Sequence, residues 1–177
     1  MATSPTSSPQ DAPGSEPLYM TWGDIGTATQ TLAEQVEAAG VPQVLVGIVR
    51  GGMIPTVWLA HRLGVRDVRC IEVTRTTSDG INAAKSTLPT TRNPGSLGDL
   101  TDLDVVLVDD IAGSGATLAH TVDLLRDLGA ARVRTAVLTV NRANWAREAE
   151  PENVIDYIAS LNHTWIVFPW EGQQHER

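Results

Sequence analysis

The stretch that decides the fold is VVLVDDIAGSGATL, which occupies residues 105–118. An apolar run of strand length leads directly to two carboxylates, Asp109 and Asp110, and then to a loop of small residues. After the loop, apolar residues recur at helical spacing until Gly129, a residue type common at helix ends. A continuous apolar run is typical of a strand buried on both faces. The stretch therefore predicts a buried strand, a tight loop and a helix, in that order.

The same alternation extends through the rest of the chain. Strand-like runs occupy residues 43–49, 68–74, 104–109, 132–140 and 154–159, and helical patterns occupy 27–39, 53–63 and 118–128. This order predicts an α/β fold with a parallel sheet flanked by helices. Ligands of such sheets bind at the carboxyl ends of the strands. Residues 75–103, rich in Thr, Ser, Gly, Asn and Pro, predict a long loop or hairpin that closes over the site as a lid.

Composition limits the classes of function. The 177 residues suit one domain, and the formal net charge of −8 argues against a nucleic-acid or membrane-surface binder. The single cysteine, Cys70, excludes an intrachain disulfide and fits a reducing compartment. No apolar run reaches the roughly 18 residues of a membrane span, and no secretory signal pattern opens the chain. We therefore expect a cytoplasmic protein, with a disordered tail at 1–17 and one domain at 18–177.

The small-residue loop at 112–117 has the properties of a phosphate site. Small residues let the backbone wrap closely around an anion, and the helix start supplies unpaired N–H donors and the positive end of its dipole. Ser114 and Thr117 add hydroxyl donors. A P-loop is excluded because no Gly-Lys-Ser/Thr is present, and Leu118 stands where a dinucleotide-binding fingerprint has its third glycine.

Carboxylates beside a phosphate site would repel the phosphate unless other groups intervene. Ribose hydroxyls donate hydrogen bonds to carboxylates, and Mg²⁺ prefers oxygen ligands, so both groups would satisfy Asp109 and Asp110. A site that holds a phosphate, sugar hydroxyls and a divalent metal together describes a ribose phosphate ligand.

VVLVDDIAGSGATL resembles the phosphoribosyl pyrophosphate (PRPP) motif of type I phosphoribosyltransferases, whose loop usually ends Thr-Gly-Gly-Thr. The resemblance implies that Asp109 and Asp110 are the catalytic carboxylates and hold the ribose hydroxyls and Mg²⁺. The residues that it implies for the 5-phosphate are Gly113, Ser114, Gly115, Ala116 and Thr117.

A second loop, GIVRGGMIP at residues 47–55, follows the first buried strand and precedes a helix. Arg50 offers a fixed fork of donors, and Gly51 and Gly52 let backbone N–H groups approach an anion. The segment resembles the family's pyrophosphate loop, particularly that of bacterial xanthine-guanine phosphoribosyltransferases, with Val49 in place of a serine. The resemblance implies that Arg50, Gly51 and Gly52 bind pyrophosphate and that the Val49–Arg50 peptide bond is cis.

The C-terminal segment DYIASLNHTWIVFPWE, residues 156–171, resembles the base-binding region of the xanthine-guanine enzymes and related archaeal ones. The resemblance implies that Trp165 stacks on the base and that Ile166 completes the base pocket. For Phe168 and Trp170 we expect core packing or a dimer contact instead. MTWGDI near the start also resembles these enzymes. The resemblance further implies a small hood formed by the terminal segments, and a homodimer or homotetramer.

Two positions depart from the pattern of the 6-oxopurine enzymes. Their phosphate loop carries an Asp that faces N7 of the base, and this chain has Gly113 at that position. They also carry a Lys near the end of the following strand that contacts O6 of the base, and this chain has none in register. Thr139, Asn141 and Arg142 are the remaining polar candidates there. We expect a purine or purine-like base, with a 7-deazapurine as the alternative, because a carbon in place of N7 needs no proton partner.

The expected activity is transfer of the 5-phosphoribosyl group from PRPP to this base in purine salvage, with release of pyrophosphate. Arg75, Lys85 and Arg92 are candidate cations of the lid, or else solvated loop charges. The alternative of another class is a non-catalytic PRPP-sensing regulator, which the acidic net charge disfavours. A phosphorylated receiver domain is excluded because its acidic pair would lie near the start of the domain.

Overall fold

The computed structural model describes residues 16–76 and 85–171. The strands of this part are β1 (Leu18–Tyr19), β2 (Val44–Val49), β3 (Asp67–Thr76), β4 (Lys85–Thr91), β5 (Asp104–Ala112), β6 (Arg132–Asn141), β7 (Tyr157–Asn162) and β8 (Ile166–Val167). The helices are α1 (Trp22–Ala39), α2 (Met53–Leu63) and α3 (Ala116–Asp127). Short 3-10 helices occupy Pro94–Leu97, Arg142–Asn144 and Pro151–Asn153.

Six strands form one sheet in the order β4-β3-β2-β5-β6-β7. Neighbouring strands are parallel, except that β3 and β4 are antiparallel. β2 and β5 lie side by side at the centre, and both are buried along most of their length. The α/β fold with a parallel sheet that the sequence predicts is confirmed.

Helices cover both faces of the sheet, and the alternation of side chains along β5 serves both layers. Val106 lies in one apolar cluster with Leu32 of α1 and Leu59 of α2. Its neighbour Val105 points to the other face and lies in a cluster with Leu125 of α3. Each such side chain stabilises the fold by about 1.5–3 kcal/mol when fully buried. Packing on two sides fixes the position at which β5 delivers its carboxyl end.

The two ends of the domain meet in a small hood. β1 and β8 form a parallel pair in which Leu18 lies opposite Ile166. Phe168 beyond it is 3% exposed and stacks on Trp170 with ring centroids 4.6 Å apart. The hood formed by the terminal segments is therefore confirmed, and so is the core-packing interpretation of Phe168 and Trp170.

The first helix begins earlier than its apolar pattern indicates. The pattern predicts a start at Thr27, but α1 begins at Trp22 because Thr21 and Asp24 form a capping box. The Thr21 Oγ1 accepts from the Asp24 N–H at 3.1 Å, and the Asp24 carboxylate accepts from the Thr21 N–H at 2.7 Å. Such a cap contributes about 1 kcal/mol to helix stability.

Two strands, β5 and β7, differ from their predicted bounds by three residues. β5 continues beyond Asp109 to Ala112, because the ladder with β6 extends past the acidic pair. The last strand of the main sheet is β7, shifted from the predicted 154–159, because a 3-10 turn still holds Ile155 through a bond from its N–H to Pro151 O. Ile155 is 6% exposed, so this apolar residue is buried although it does not lie in a strand.

The region predicted as a long loop or hairpin is more regular than its composition indicates. β3 runs to Thr76, β4 pairs with it antiparallel, and the 3-10 helix Pro94–Leu97 follows. Residues 77–84 lie outside the described part, as do 1–15 of the predicted disordered tail and 172–177. Among the helices of the described ranges, none is both long enough and apolar enough to cross a membrane.

Candidate active site

The acidic pair lies at the carboxyl end of β5, inside the fold rather than on its surface. Asp109 is 8% exposed and Asp110 is partly buried. The Asp109 Oδ1 accepts from the Asp110 N–H at 3.0 Å, and the Asp110 Oδ1 accepts from the Ile111 N–H at 2.8 Å. Burial, followed by repulsion from Asp110, raises the pKa of Asp109 well above its usual range. Burial also raises the pKa of Asp110 to about 6, against hydrogen bonds that lower it.

Two buried carboxylates with raised pKa values suit a cation or hydroxyl donors brought by a ligand. Groups of three or more His, Cys, Asp or Glu placed to hold a metal are absent from residues 16–76 and 85–171. The protein would therefore supply two carboxylates, and substrate and water oxygens would complete an Mg²⁺ shell. This division is usual for Mg²⁺, which keeps several waters and binds substrate phosphates.

The Arg-Gly-Gly loop lies directly against the acidic pair, because β2 and β5 are neighbours in the sheet. A Cβ built on Gly51 would lie 1.7 Å from the Asp110 Oδ2. A Cβ built on Gly52 would lie 2.5 Å from Ile48 O and 2.8 Å from Val108 O. The backbone contacts require glycine at position 52, and a larger residue at position 51 would displace the Asp110 carboxylate. The two loops that the sequence predicted separately are thus brought together.

The start of the Arg-Gly-Gly loop has the backbone geometry that the resemblance implies. The peptide bond between Val49 and Arg50 is cis, which confirms that expectation. The loop then turns tightly into α2, with the Met53 N–H donating to Arg50 O at 3.2 Å. Gly52 occupies the N-cap position of that helix without a side-chain cap. Its backbone therefore starts α2 beside the acidic pair.

The small-residue loop at 112–117 encloses a small recess of about 30 Å³ at the end of β5. The residues that line it are Asp109, Ile111, Ala112, Gly113, Ser114, Gly115, Thr117 and Leu118. Four of the five residues predicted for the 5-phosphate thus share one recess with Asp109, while Ala116 begins α3 behind it. The position of the recess at a helix N-terminus suits an anion.

Glycine is required at one position of this loop for two reasons. Gly115 has φ +73°, a left-handed conformation that side chains rarely adopt. In addition, a Cβ at this position would lie 2.8 Å from the Trp145 ring and 2.9 Å from the Arg147 Cδ. Trp145 therefore packs against the loop, a contact that no local sequence pattern indicates.

The predicted base segment is pinned by its backbone. The Leu18 N–H donates to Trp165 O at 2.8 Å, and the Asn141 Nδ2 donates to Thr164 O at 3.1 Å. Trp165 is partly buried. Ile166 is 3% exposed and its side chain packs in the core, so its contribution to a ligand site would come from its main chain.

The polar candidates near the end of β6 are already engaged in the fold. Thr139 is fully buried and accepts from the Asn162 Nδ2 at 2.7 Å. Arg142 forms ion pairs with Glu150 and Glu152. The Thr139 and Arg142 side chains are therefore both bound to other groups of the protein. These contacts give no indication that Thr139 or Arg142 reads a base.

Of the three candidate lid cations, the structure describes the side chain of one. Arg92 forms an exposed ion pair with Glu72, with Nη1 3.2 Å from Oε1, which agrees with a solvated loop charge. The side chains of Arg75 and Lys85 lie outside the described part. Glu171 is a further acidic group that sequence patterns did not single out, and its charge also raises the pKa of Asp110.

A larger groove of about 210 Å³ lies on the other side of Gly115, between α3 and the segment after β6. Leu118, Val122, Trp145 and Ile155 supply much of its lining, and the acidic pair does not reach it. Volume alone would favour this groove. The chemistry favours the smaller recess, because the carboxylates and the helix N-terminus converge there.

Comparisons with known proteins agree with this assignment. The family described as "Phosphoribosyl transferase domain" matches residues 21–174. A xanthine-guanine phosphoribosyltransferase of Idiomarina loihiensis is 26% identical over 163 residues, covering 89% of each chain. One of a Ruegeria species is 27% identical over 175 residues, covering 94% of this chain and 92% of the relative.

Solved structures extend the similarity to three dimensions. A purine phosphoribosyltransferase from Pyrococcus horikoshii matches with a TM-score of 0.70 and 33% identity, covering 86% of this chain and 92% of the other. The Helicobacter pylori xanthine-guanine-hypoxanthine enzyme matches with a TM-score of 0.69 at 23% identity, covering 89% and 93%, and supports the fold.

Proposed function

This chain belongs to the phosphoribosyltransferase domain family, and from that premise we propose that it transfers the 5-phosphoribosyl group from PRPP to a 6-oxopurine base. The observation that carries the proposal is the contact between the two loops, since Gly51 leaves room for no atom between itself and the Asp110 carboxylate. A PRPP molecule needs a pyrophosphate loop and ribose-binding carboxylates side by side. The relatives' names, which include xanthine and guanine, support a purine as the acceptor.

Each part of the site has a role in the reaction. The bond between the anomeric carbon and the pyrophosphate oxygen breaks, a bond from that carbon to a ring nitrogen of the base forms, and the N–H proton of the base passes to solvent. Asp109 and Asp110 would hold the ribose hydroxyls and place negative charge near the cationic anomeric carbon. Arg50, Gly51 and Gly52 would bind the pyrophosphate as its charge develops.

The remaining contacts position the substrate. Residues 113–117 would hold the 5-phosphate at the start of α3, and Trp165 would stack on the base. Mg²⁺, when bound by Asp109 and Asp110, would neutralise charge on the pyrophosphate. Positioning of this kind excludes water and lowers the entropic barrier to reaction.

The proposal extends to the setting of the enzyme. We propose that the protein is a magnesium-dependent homodimer or homotetramer that acts in purine salvage in the cytoplasm. PRPP and a nucleobase are its partners, and neither nucleic acid nor membrane is required. The absence of a basic stripe at a net charge of −8 supports this restriction.

The direct test measures pyrophosphate release and nucleotide formation with PRPP, Mg²⁺ and a panel of bases: guanine, xanthine, hypoxanthine, adenine and uracil. We expect turnover with at least one 6-oxopurine and none with uracil. The matched control is the double variant Asp109→Asn, Asp110→Asn, which should keep its far-ultraviolet circular dichroism and lose at least 10³-fold in kcat/KM. PRPP binding without turnover on any base would instead support a PRPP-sensing regulator.

A further inference from the structure

The wall of the phosphate recess has a gap at Gly113. Unlike Gly51 and Gly115, Gly113 has neither a left-handed φ nor a close neighbour that requires glycine. The nearest atom to a Cβ built on it is the Asn144 Cβ, 3.7 Å away, which is an ordinary van der Waals distance. Residue 144 therefore stands beside the space into which a side chain at 113 would project.

The turn that carries Asn144 is joined to the base segment by one side chain. Asn141 ends β6 and is 3% exposed. Its Oδ1 accepts from the Ala143 N–H at 3.1 Å, and its Nδ2 donates to Thr164 O at 3.1 Å. Asn141 thus links the turn to the residue before Trp165.

The other side of the turn is equally constrained. The Arg142 guanidinium pairs with Glu150 and Glu152. The indole N–H of Trp145 donates to Ala149 O at 2.8 Å, and the ring packs against the backbone of Gly115. The position of Asn144 is therefore set from both sides, which is what a recognition residue requires.

The Asn144 side chain itself is exposed and makes no hydrogen bond within the part of the chain that the structure describes. A carboxamide offers two donors and one acceptor, and a 6-oxopurine presents O6 and N7 along one edge. We propose that the Asn144 carboxamide binds the O6/N7 edge of the base, in the space beside Gly113. The inference rests on the proposed function, because it takes the base to lie at the carboxyl ends of β5 and β6.

The chemistry of an amide limits what this contact can do. A carboxamide donates or accepts a hydrogen bond but does not take up a proton at neutral pH. Recognition of N7 is then weak rather than absent. A single neutral hydrogen bond corresponds to a loss of about tenfold in kcat/KM when N7 is replaced by carbon.

The test compares guanine with 7-deazaguanine, measured as kcat/KM with PRPP and Mg²⁺ saturating. For the unmodified protein we expect a ratio of about ten. Asn144→Ala should lower the value for guanine about tenfold more than the value for 7-deazaguanine, which loses only the O6 contact, and so bring the ratio close to one. The KM for PRPP should not move. The matched control is Asn153→Ala, an exposed asparagine at the end of the next 3-10 helix, which should keep the ratio of the unmodified protein.

Two further variants guard against a trivial result. Asn144→Leu keeps the branched shape and the number of side-chain heavy atoms but has no hydrogen-bonding group, so it should give the same ratio near one if Asn144→Ala is poorly folded. Gly113→Asp added to Asn144→Ala should restore a preference for guanine, because the structure leaves room for that side chain.

The outcomes separate the two proposals. Turnover of guanine with a ratio that Asn144→Ala and Asn144→Leu leave unchanged would overturn the role of Asn144 alone. Activity confined to pyrimidines, or no pyrophosphate release with any base, would overturn the proposed function and with it this inference.

Discussion

At the scale of single residues, the site depends on backbone positions that leave no room for a side chain. Gly51 is the sharpest case, since its missing Cβ would lie only 1.7 Å from the Asp110 Oδ2, far below a van der Waals contact distance. Relief of that overlap requires the Asp110 carboxylate or the Arg-Gly-Gly loop to move. Either movement separates groups that we propose to hold the same PRPP molecule.

We therefore expect Gly51→Ala to lower kcat/KM for PRPP by about 10²-fold or more, because a displacement of about 1 Å at a catalytic site has effects of this size. The assay is pyrophosphate release with the preferred base held saturating. Gly23→Ala is the matched control, since the nearest atom to a Cβ at that position is the Thr21 Oγ1 at an ordinary 3.5 Å, and it should retain full activity. An active Gly51→Ala variant with an unchanged Tm would remove this loop from the site.

The carboxylate of Asp110 has a consequence for stability. Its pKa is raised to about 6 by burial, from 3.8. The folded state therefore holds this proton to a higher pH than the unfolded state, so its contribution to stability is complete below pH 3.8 and is lost as pH rises through 6.

We expect Asp110→Asn to be more stable than the unmodified protein by roughly 1–3 kcal/mol at pH 8, and to lose that advantage at pH 4. Urea unfolding in the presence of a chelator and without PRPP measures the difference. Glu148→Gln, which removes one exposed carboxylate, is the matched control for the change in net charge. Equal gains at pH 4 and pH 8 would show that relief of charge burial is not the cause.

At the scale of elements, the antiparallel pair β3 and β4 lies beside α3. β4 contacts α3 through Thr91, whose Oγ1 lies 3.0 Å from the Nε2 of His120. The pair has an irregular register between Thr74 and Thr76, while its other end is tied by the bond from the Arg92 N–H to Glu72 O at 3.1 Å. The role of residues 75–103 as a lid stays a prediction, and this geometry indicates where to test it.

We expect amides of β4 to gain roughly tenfold protection from hydrogen exchange when PRPP, Mg²⁺ and an unreactive base analogue bind together. The reason is that closure over the ligand would order the strand at its irregular end. Amides of β5 provide the internal control, since they lie in the centre of the sheet and should already be protected. Unchanged exchange in β4 would mean that this region does not close over the site.

The sequence predicts elements well where one signal is enough. The buried strands and α2 follow from continuous or periodic apolar runs, and α2 has the predicted bounds. The start of α1 required recognition of a polar cap, which an apolar pattern does not contain. Likewise, both loops of the site carry local signals, while the proximity of Asn144 to Gly113 depends on how the turn after β6 folds back. Contacts between distant loops are therefore the part that sequence alone does not reveal.

At the scale of the whole molecule, an acidic protein is proposed to bind a polyanion. The formal net charge is −8, and PRPP carries several negative charges, so their long-range interaction is repulsive. In the proposed site, attraction comes at close range from the loop amides, Arg50 and Mg²⁺. Salt screens distant charges more strongly than buried contacts.

We therefore expect kcat/KM for PRPP to rise about twofold as NaCl increases from about 10 to 150 mM at constant free Mg²⁺, where the Debye length falls from about 30 to 8 Å. Enzymes that attract their substrate over long distances show the opposite trend. The measurement is steady-state turnover at PRPP concentrations below KM. A tenfold fall over the same range would reveal a positive surface around the site.

The pairing of β1 with β8 also affects the order in which parts of the chain can fold during synthesis. On the ribosome Leu18 emerges among the first residues of the domain, whereas its partner Ile166 emerges near the last. The central sheet can assemble while synthesis continues, since β2, β3 and β5 are all made before β6 and β7. Trp165 cannot take its place until the final strand has been released to pair with the first. A nascent chain would thus have the half that we propose to bind phosphate ready before the half that we propose to bind the base exists.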